Sequence, residues 1–171
     1  YYYRSDGQLA QLIDADSTRT PAQAGLYHYT VKTAADSKEG TDQVQNVDIG
    51  FHYAGVDSNN LPIDTDRDGL PDYLEDTNGN GTYESGSDLS NLQNPDSDGD
   101  DMPDGWMMNY FGHPLASAND QSRAEDDPDT DGLTNLQEYQ LAMNPIRGDP
   151  PVIGSRPAGK IVEVGGSVTY S

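Results

Sequence analysis

The chain has 171 residues, a formal net charge of −21 and only 33% hydrophobic residues, with no cysteine. Disulfide stapling is therefore excluded, and the apolar content is low for a domain held by an ordinary hydrophobic core. Nucleic-acid binding through phosphates is excluded as well, because counterion release needs a basic patch that an acidic chain lacks.

The length allows one or two small domains. The chain opens Tyr1-Tyr2-Tyr3 without methionine, so it reads as processed or as a segment of something longer. No signal peptide or transmembrane run is legible. Residues 1–63 form a β-rich region. Segments 27–33 and 44–53 are rich in β-branched and aromatic residues, and Gly25, Gly40 and Gly50 punctuate them. Leu9 to Ile13 is a further short strand.

Residues 64–149 form the second region. Asp64, Asp66, Asp68, Asp72 and Glu75 stand at positions 1, 3, 5, 9 and 12 of a twelve-residue loop with Gly69 at position 6. This is a complete calcium loop of the EF-hand type. Ca²⁺ takes six to eight oxygens, and closely spaced side chains on a tightly turning loop deliver them. The backbone carbonyl of Leu70 supplies position 7, and Glu75 closes the shell. Loop two keeps Asp76, Asn78, Asn80, Gly81, Thr82 and Glu84, with Ser87 at position 12 and Asp88 one residue later. Loop three keeps Asp96, Asp98, Asp100, Met102 and Asp104, but has Asp101 at the glycine position and Met107 where the closing glutamate belongs. Aspartate tolerates positive φ, so that turn survives. The missing twelfth ligand makes loop three the weakest of the four. Loop four is complete, with Asp127, Asp129, Asp131, Gly132, Leu133, Asn135 and Glu138.

Residues 64–138 hold 20 of the 30 acidic residues and only Arg67 and Arg123 as bases. Those carboxylates repel one another unless divalent cations bind. We expect three or more Ca²⁺ ions, which replace missing hydrophobic stabilisation by binding only the folded state. Helical spacing of Leu133, Leu136 and Met143 predicts a short helix over 133–143, stopped by Asn144-Pro145. A second short helix is predicted from Gly105 to Phe111, with Trp106 and Tyr110 on one face as core. Residues 150–171 read as a proline-rich turn followed by a strand segment from Lys160 to Tyr170. The fold class expected is mainly β and irregular, with short helices in the calcium region.

Three resemblances attach to these segments. Asp64 to Glu75, Asn94-Pro95-Asp96-Ser97-Asp98, Met102-Pro103-Asp104-Gly105-Trp106 and Asp127 to Glu138 resemble the thrombospondin type 3 repeats and their bacterial relatives. That resemblance implies chain wound around calcium ions, often as a spacer or stalk of a bacterial secreted protein. Segments 11–17 and 47–51 resemble the closing coils of right-handed parallel β-helices. Residues 160–170 resemble the opening strands of an immunoglobulin-like domain, too short to form one alone.

No Ser/His/Asp order, HExxH or phosphate loop is present, and the paired carboxylates are already assigned to metal, so the chain does not read as an enzyme. The favoured reading is a calcium-stabilised extracellular or cell-surface structural protein, a filament or surface-layer subunit. It would be a homopolymer joined by β-strand addition, with Ile161, Val162, Val164, Val168 and Tyr170 supplying the inserted side chains. One alternative is a calcium-rigidified spacer of a larger secreted enzyme. The other is an adhesin or carbohydrate-binding module that meets a cell surface or polysaccharide through tyrosines.

Overall fold

The computed structural model describes residues 18–32, 34–41 and 46–148. The expected strand at 9–13, segment 11–17 and the C-terminal segment 150–171 lie outside the described residues, as do 42–45.

The described chain begins with a four-residue helix, α1 (Pro21–Ala24). Thr20 caps it: its hydroxyl accepts from the Gln23 N–H, and the Gln23 side chain returns the bond to the Thr20 N–H. Pro21 occupies the first turn and Gly25 leaves it at φ 71°. Thr20-Pro21-Ala22-Gln23 followed by Gly25 is a capping box with proline inside and glycine past the end, a legible signal that the reading above passed over. Strand β1 (Tyr29–Thr30) pairs antiparallel with β2 (Tyr53–Ala54), Tyr29 facing Ala54 and Thr30 facing Tyr53. Among the described residues, segment 27–33 thus gives two residues of strand and segment 44–53 one, Tyr53. The other described residues before 64 are mostly turns and irregular chain, with one 3₁₀ turn at Glu39–Thr41.

Over residues 64–148 the chain is mostly irregular, interrupted by α2 (Asp72–Glu75), α3 (Asp104–Phe111) and α4 (Asn135–Leu141). Both predicted helices are present. Helix α4 starts at a capping box formed by Thr134 and Gln137 and ends at Ala142, φ 54°. The Met143 N–H then bonds to the Glu138 carbonyl at 2.8 Å. The helix thus stops by a left-handed cap before Asn144-Pro145 can stop it. Trp106 on α3 meets Tyr110 at 5.0 Å and Tyr139 of α4 at 5.6 Å, so the aromatics tie the two helices together.

The interior is polar. Among the described residues six hydrophobic side chains are buried, Val31, Val47, Leu70, Leu92, Met102 and Met107, against twelve polar or charged ones. Seven of those twelve are carboxylates: Glu39, Asp48, Asp72, Glu75, Asp76, Asp104 and Glu138. Burying a charge costs several kcal/mol unless it is paired or coordinates a metal. No described helix is long and apolar enough to cross a membrane.

Candidate metal centre

The four loops share one backbone. Position 6 is left-handed in each: Gly69 at φ 98°, Gly81 at 85°, Asp101 at 68° and Gly132 at 100°. Asp101 therefore takes the glycine conformation, as expected. Position 4 is left-handed as well, at Arg67, Gly79, Gly99 and Thr130. For a β-branched threonine, φ 62° is a strained conformation that the sequence did not announce.

Side chains hold these turns. The position 1 carboxylate accepts backbone N–H groups across the loop. Asp64 bonds to Arg67 and Gly69, Asp96 to Gly99, Asp100 and Asp101, and Asp127 to Gly132. The position 5 side chain accepts from the N–H of position 7 in all four: Asp68 from Leu70, Asn80 from Thr82, Asp100 from Met102 and Asp131 from Leu133. Aspartate and asparagine suit both jobs because their short side chains reach their own backbone two residues on.

Position 9 closes the loop. Asp72 accepts from the Thr65 N–H at 2.7 Å and hydroxyl at 2.8 Å. Asp104 accepts the same pair of bonds from Ser97. In loop four, position 2 is Pro128, which has no N–H to give. There position 9 is Asn135, whose amide donates instead to the carbonyls of Gln121 and Arg123. Thr65 and Ser97 were not singled out from the sequence, although the Ser/Thr at position 2 accompanies Asp at position 9 in loops one and three.

Carboxylates converge in four groups whose oxygens lie within 4.8 Å of one another. Three are the expected position 1, 3 and 5 sets: Asp64, Asp66 and Asp68; Asp96, Asp98 and Asp100; Asp127, Asp129 and Asp131. The fourth joins two loops: Asp68 and Glu75 of loop one meet Asp104 of loop three. Gly105 makes this approach possible. A Cβ there would lie 2.5 Å from the Asp68 carbonyl and 2.8 Å from the Leu70 nitrogen. Its N–H donates to Asp68 Oδ2 at 2.7 Å, so loop one caps α3.

These groups hold oxygens with nothing to bond. Neither carboxylate oxygen of Asp66 has a hydrogen-bond partner, and Glu75 Oε2, Asp100 Oδ2 and Asp127 Oδ1 have none either. Burial and the neighbouring Asp68 push the Asp66 carboxyl up to about 6. Burial, opposed by the Ser90 hydroxyl, pushes Glu75 up to about 8. Asp100 rises to about 6 through burial and the charges of Asp98, Asp96 and Asp104. Burial also raises Asp68 and Asp104. Burial and neighbouring negative charge thus disfavour the ionised form of these carboxyls, which a bound cation would favour.

Loop two differs. Its acids Asp76, Glu84 and Asp88 belong to no such group among the described residues. Asp76 Oδ1 accepts from Gly79 and Asn80, and Oδ2 from Gly81 and from His28 Nε2 at 2.7 Å. Glu84 accepts from Asn78, Asn80 and Thr82. Asp88 accepts from Asn78 and the Glu84 N–H. Loop three, expected to be the weakest, gathers its carboxylates, whereas those of loop two are engaged in hydrogen bonds. At position 12, Glu75, Met107 and Glu138 are all fully buried, so in loop three a methionine fills the place of the closing glutamate. Leu70 and Met102, expected to offer carbonyls, bury their side chains, whereas Leu133 is half-buried and Thr82 exposed.

All the donors in the four groups are oxygens, and the three histidines stand outside them. Hard cations favour that set. Matched against protein-family models, curated proteins and solved structures, the chain finds no counterpart in any of the three.

Proposed function

We propose that the chain is a calcium-stabilised structural module of an extracellular protein, built on repeats of the thrombospondin type 3 kind. One observation carries this reading: carboxylates crowd into four groups, with buried oxygens such as Glu75 Oε2 unpartnered and few bases nearby. A group of three carboxylates is expensive without a cation and stabilising with one. Calcium fits better than magnesium, because ligands spread over two loops give a large and irregular oxygen shell. Millimolar calcium outside cells matches the weak affinities of extracellular modules.

Asp64, Asp66 and Asp68 would hold one ion, Asp96, Asp98 and Asp100 another, and Asp127, Asp129 and Asp131 a third. Asp68, Glu75 and Asp104 would hold a fourth between loops. The ions supply positive charge to a polar interior, and Thr65, Ser97 and Gly105 hold the carboxylates in place. The proposed role is to stiffen, as a filament or surface-layer subunit or as a spacer of a secreted protein. Metal counting by mass spectrometry after dialysis against 1 mM (order of magnitude) CaCl₂ tests the reading. Three or more ions per chain are expected, and fewer than two overturn it. Assembly through residues 158–171 is tested by deleting them: polymers that persist without them end the strand-addition proposal.

A further inference from the structure

The turn from Asp72 to Asp76 presents two faces. On one, Glu75 is fully buried, its Oε2 is unpartnered, and it meets Asp68 and Asp104. On the other, Asp72 Oδ2 accepts from Lys38 Nζ at 3.1 Å and Asp76 Oδ2 bonds to His28 Nε2 at 2.7 Å. His28, Asp72 and Asp76 are themselves buried. The N-terminal segment also rests directly on loop two. The Tyr27 N–H donates to the Gly79 carbonyl at 3.0 Å. A Cβ on Gly79 would stand 2.3 Å from the Gly25 carbonyl oxygen, and one on Gly81 would stand 2.5 Å from the Tyr27 ring. At Gly69, Gly99 and Gly132, the corresponding glycines of the other loops, there is nothing within 4 Å.

We infer that a divalent cation held by Asp68, Glu75 and Asp104 locks residues 25–32 onto loop two, which grips a protein segment in the way its sibling loops grip ions. The inference rests on the metal-binding reading above and adds a consequence to it. Without a cation, ionised Glu75 is repelled by Asp68 and Asp104 and nothing draws the three side chains together. Glu75 cannot move alone, because α2 is a single turn with no stability of its own. The same turn carries both carboxylates that hold His28 and Lys38. Metal binding and docking of the N-terminal segment therefore share free energy, and each strengthens the other.

The test uses the full chain and calcium alone. Hydrogen exchange is followed over residues 25–32 during a CaCl₂ titration, with bound calcium counted in parallel. Protection there should rise with the same midpoint as calcium binding. Glu75→Gln should move both midpoints upward tenfold or more. His28→Gln should keep the calcium count and lower protection of 25–32 about tenfold. Lys38→Met should do the same to a smaller degree, and it provides an independent arm should His28→Gln fold poorly. Calcium bound with protection of 25–32 unchanged overturns the docking inference alone. Absence of bound calcium overturns the metal-binding reading itself. A calcium count lowered by one in His28→Gln shows that loop two is an ion site and also overturns the inference.

Discussion

Loops one and two carry oxygen-bearing side chains at positions 1, 3, 5 and 9 and glycine at position 6, yet the structure uses them oppositely. Loop one has aspartate at positions 3 and 5, and both oxygens of Asp66 lack partners. Loop two has Asn78 and Asn80 there, and their amides donate to Glu84 and Asp88. An amide brings its own N–H donors, whereas an ionised carboxylate only accepts. Two Asp-to-Asn differences thus separate a cluster of carboxylates that could hold a cation from a network that satisfies itself. Gly25, Tyr27 and His28 also cover loop two, and His28 bonds to Asp76.

Chelation tests the contrast most severely. At roughly ten times the dissociation constant each site contributes about 1.4 kcal/mol, so three or four ions together contribute about 4–6 kcal/mol. Removing calcium should therefore lower the thermal midpoint by about 10 °C or more, since 1 kcal/mol moves a chain of this size by about 2–4 °C. The segment 64–148 should loosen first, read by hydrogen exchange. A midpoint unmoved by chelator would mean that loop one is no more in need of a cation than loop two.

A glycine pair sharpens the comparison next. Gly69 and Gly79 are both left-handed, at φ 98° and 68°. Alanine at Gly69 meets open space and suffers strain alone, about 1–2 kcal/mol. Alanine at Gly79 adds overlap with Gly25 and should cost about 1–3 kcal/mol more. Denaturant midpoints of the two variants decide this, and equal losses would mean that loop two is not covered in solution.

A carboxylate pair follows. Asp68 belongs to two groups, so Asp68→Asn should weaken calcium binding at least tenfold, about 1.4 kcal/mol, by calorimetry. Asp76→Asn should leave the number of ions unchanged. Loss of an ion in that variant would restore loop two as a site.

The smallest effect is that of pH. Glu75 near 8, with Asp66 and Asp100 near 6, all lie above ordinary carboxylate values. Between about pH 4 and 8 the metal-free folded chain holds more protons than the unfolded one. Its stability should therefore fall as pH rises through that window, while calcium affinity should rise as the protons leave. A metal-free midpoint that climbs from pH 5 to 8 would contradict the raised values.

Much of the site could be read directly. Asp at positions 1, 3 and 5 of loops one, three and four, the left-handed position 6 and helices α3 and α4 all follow from local pattern. Those features depend on residues within a dozen positions of one another, where spacing alone sets reach. The left-handed Arg67 and Thr130 were hidden because their side chains give no hint of positive φ. Burial of Asp72 behind Thr65 and Lys38 was hidden because half of its partners lie more than 30 residues away. The N-terminal strands were overestimated among the described residues, since aromatic and β-branched composition records burial as readily as pairing.

The sequence by itself determined that this protein would carry repeated acidic turns, because an Asx side chain and a glycine organise a loop without help from elsewhere. Only the tertiary structure decided which loops share carboxylates and which one is covered by protein. Asp104 reaches Asp68 and Glu75 because Gly105 lets α3 abut loop one, and His28 reaches Asp76 from 48 residues away. Loop spacing fixes the donors, but packing over long sequence distances fixes which carboxylates come together.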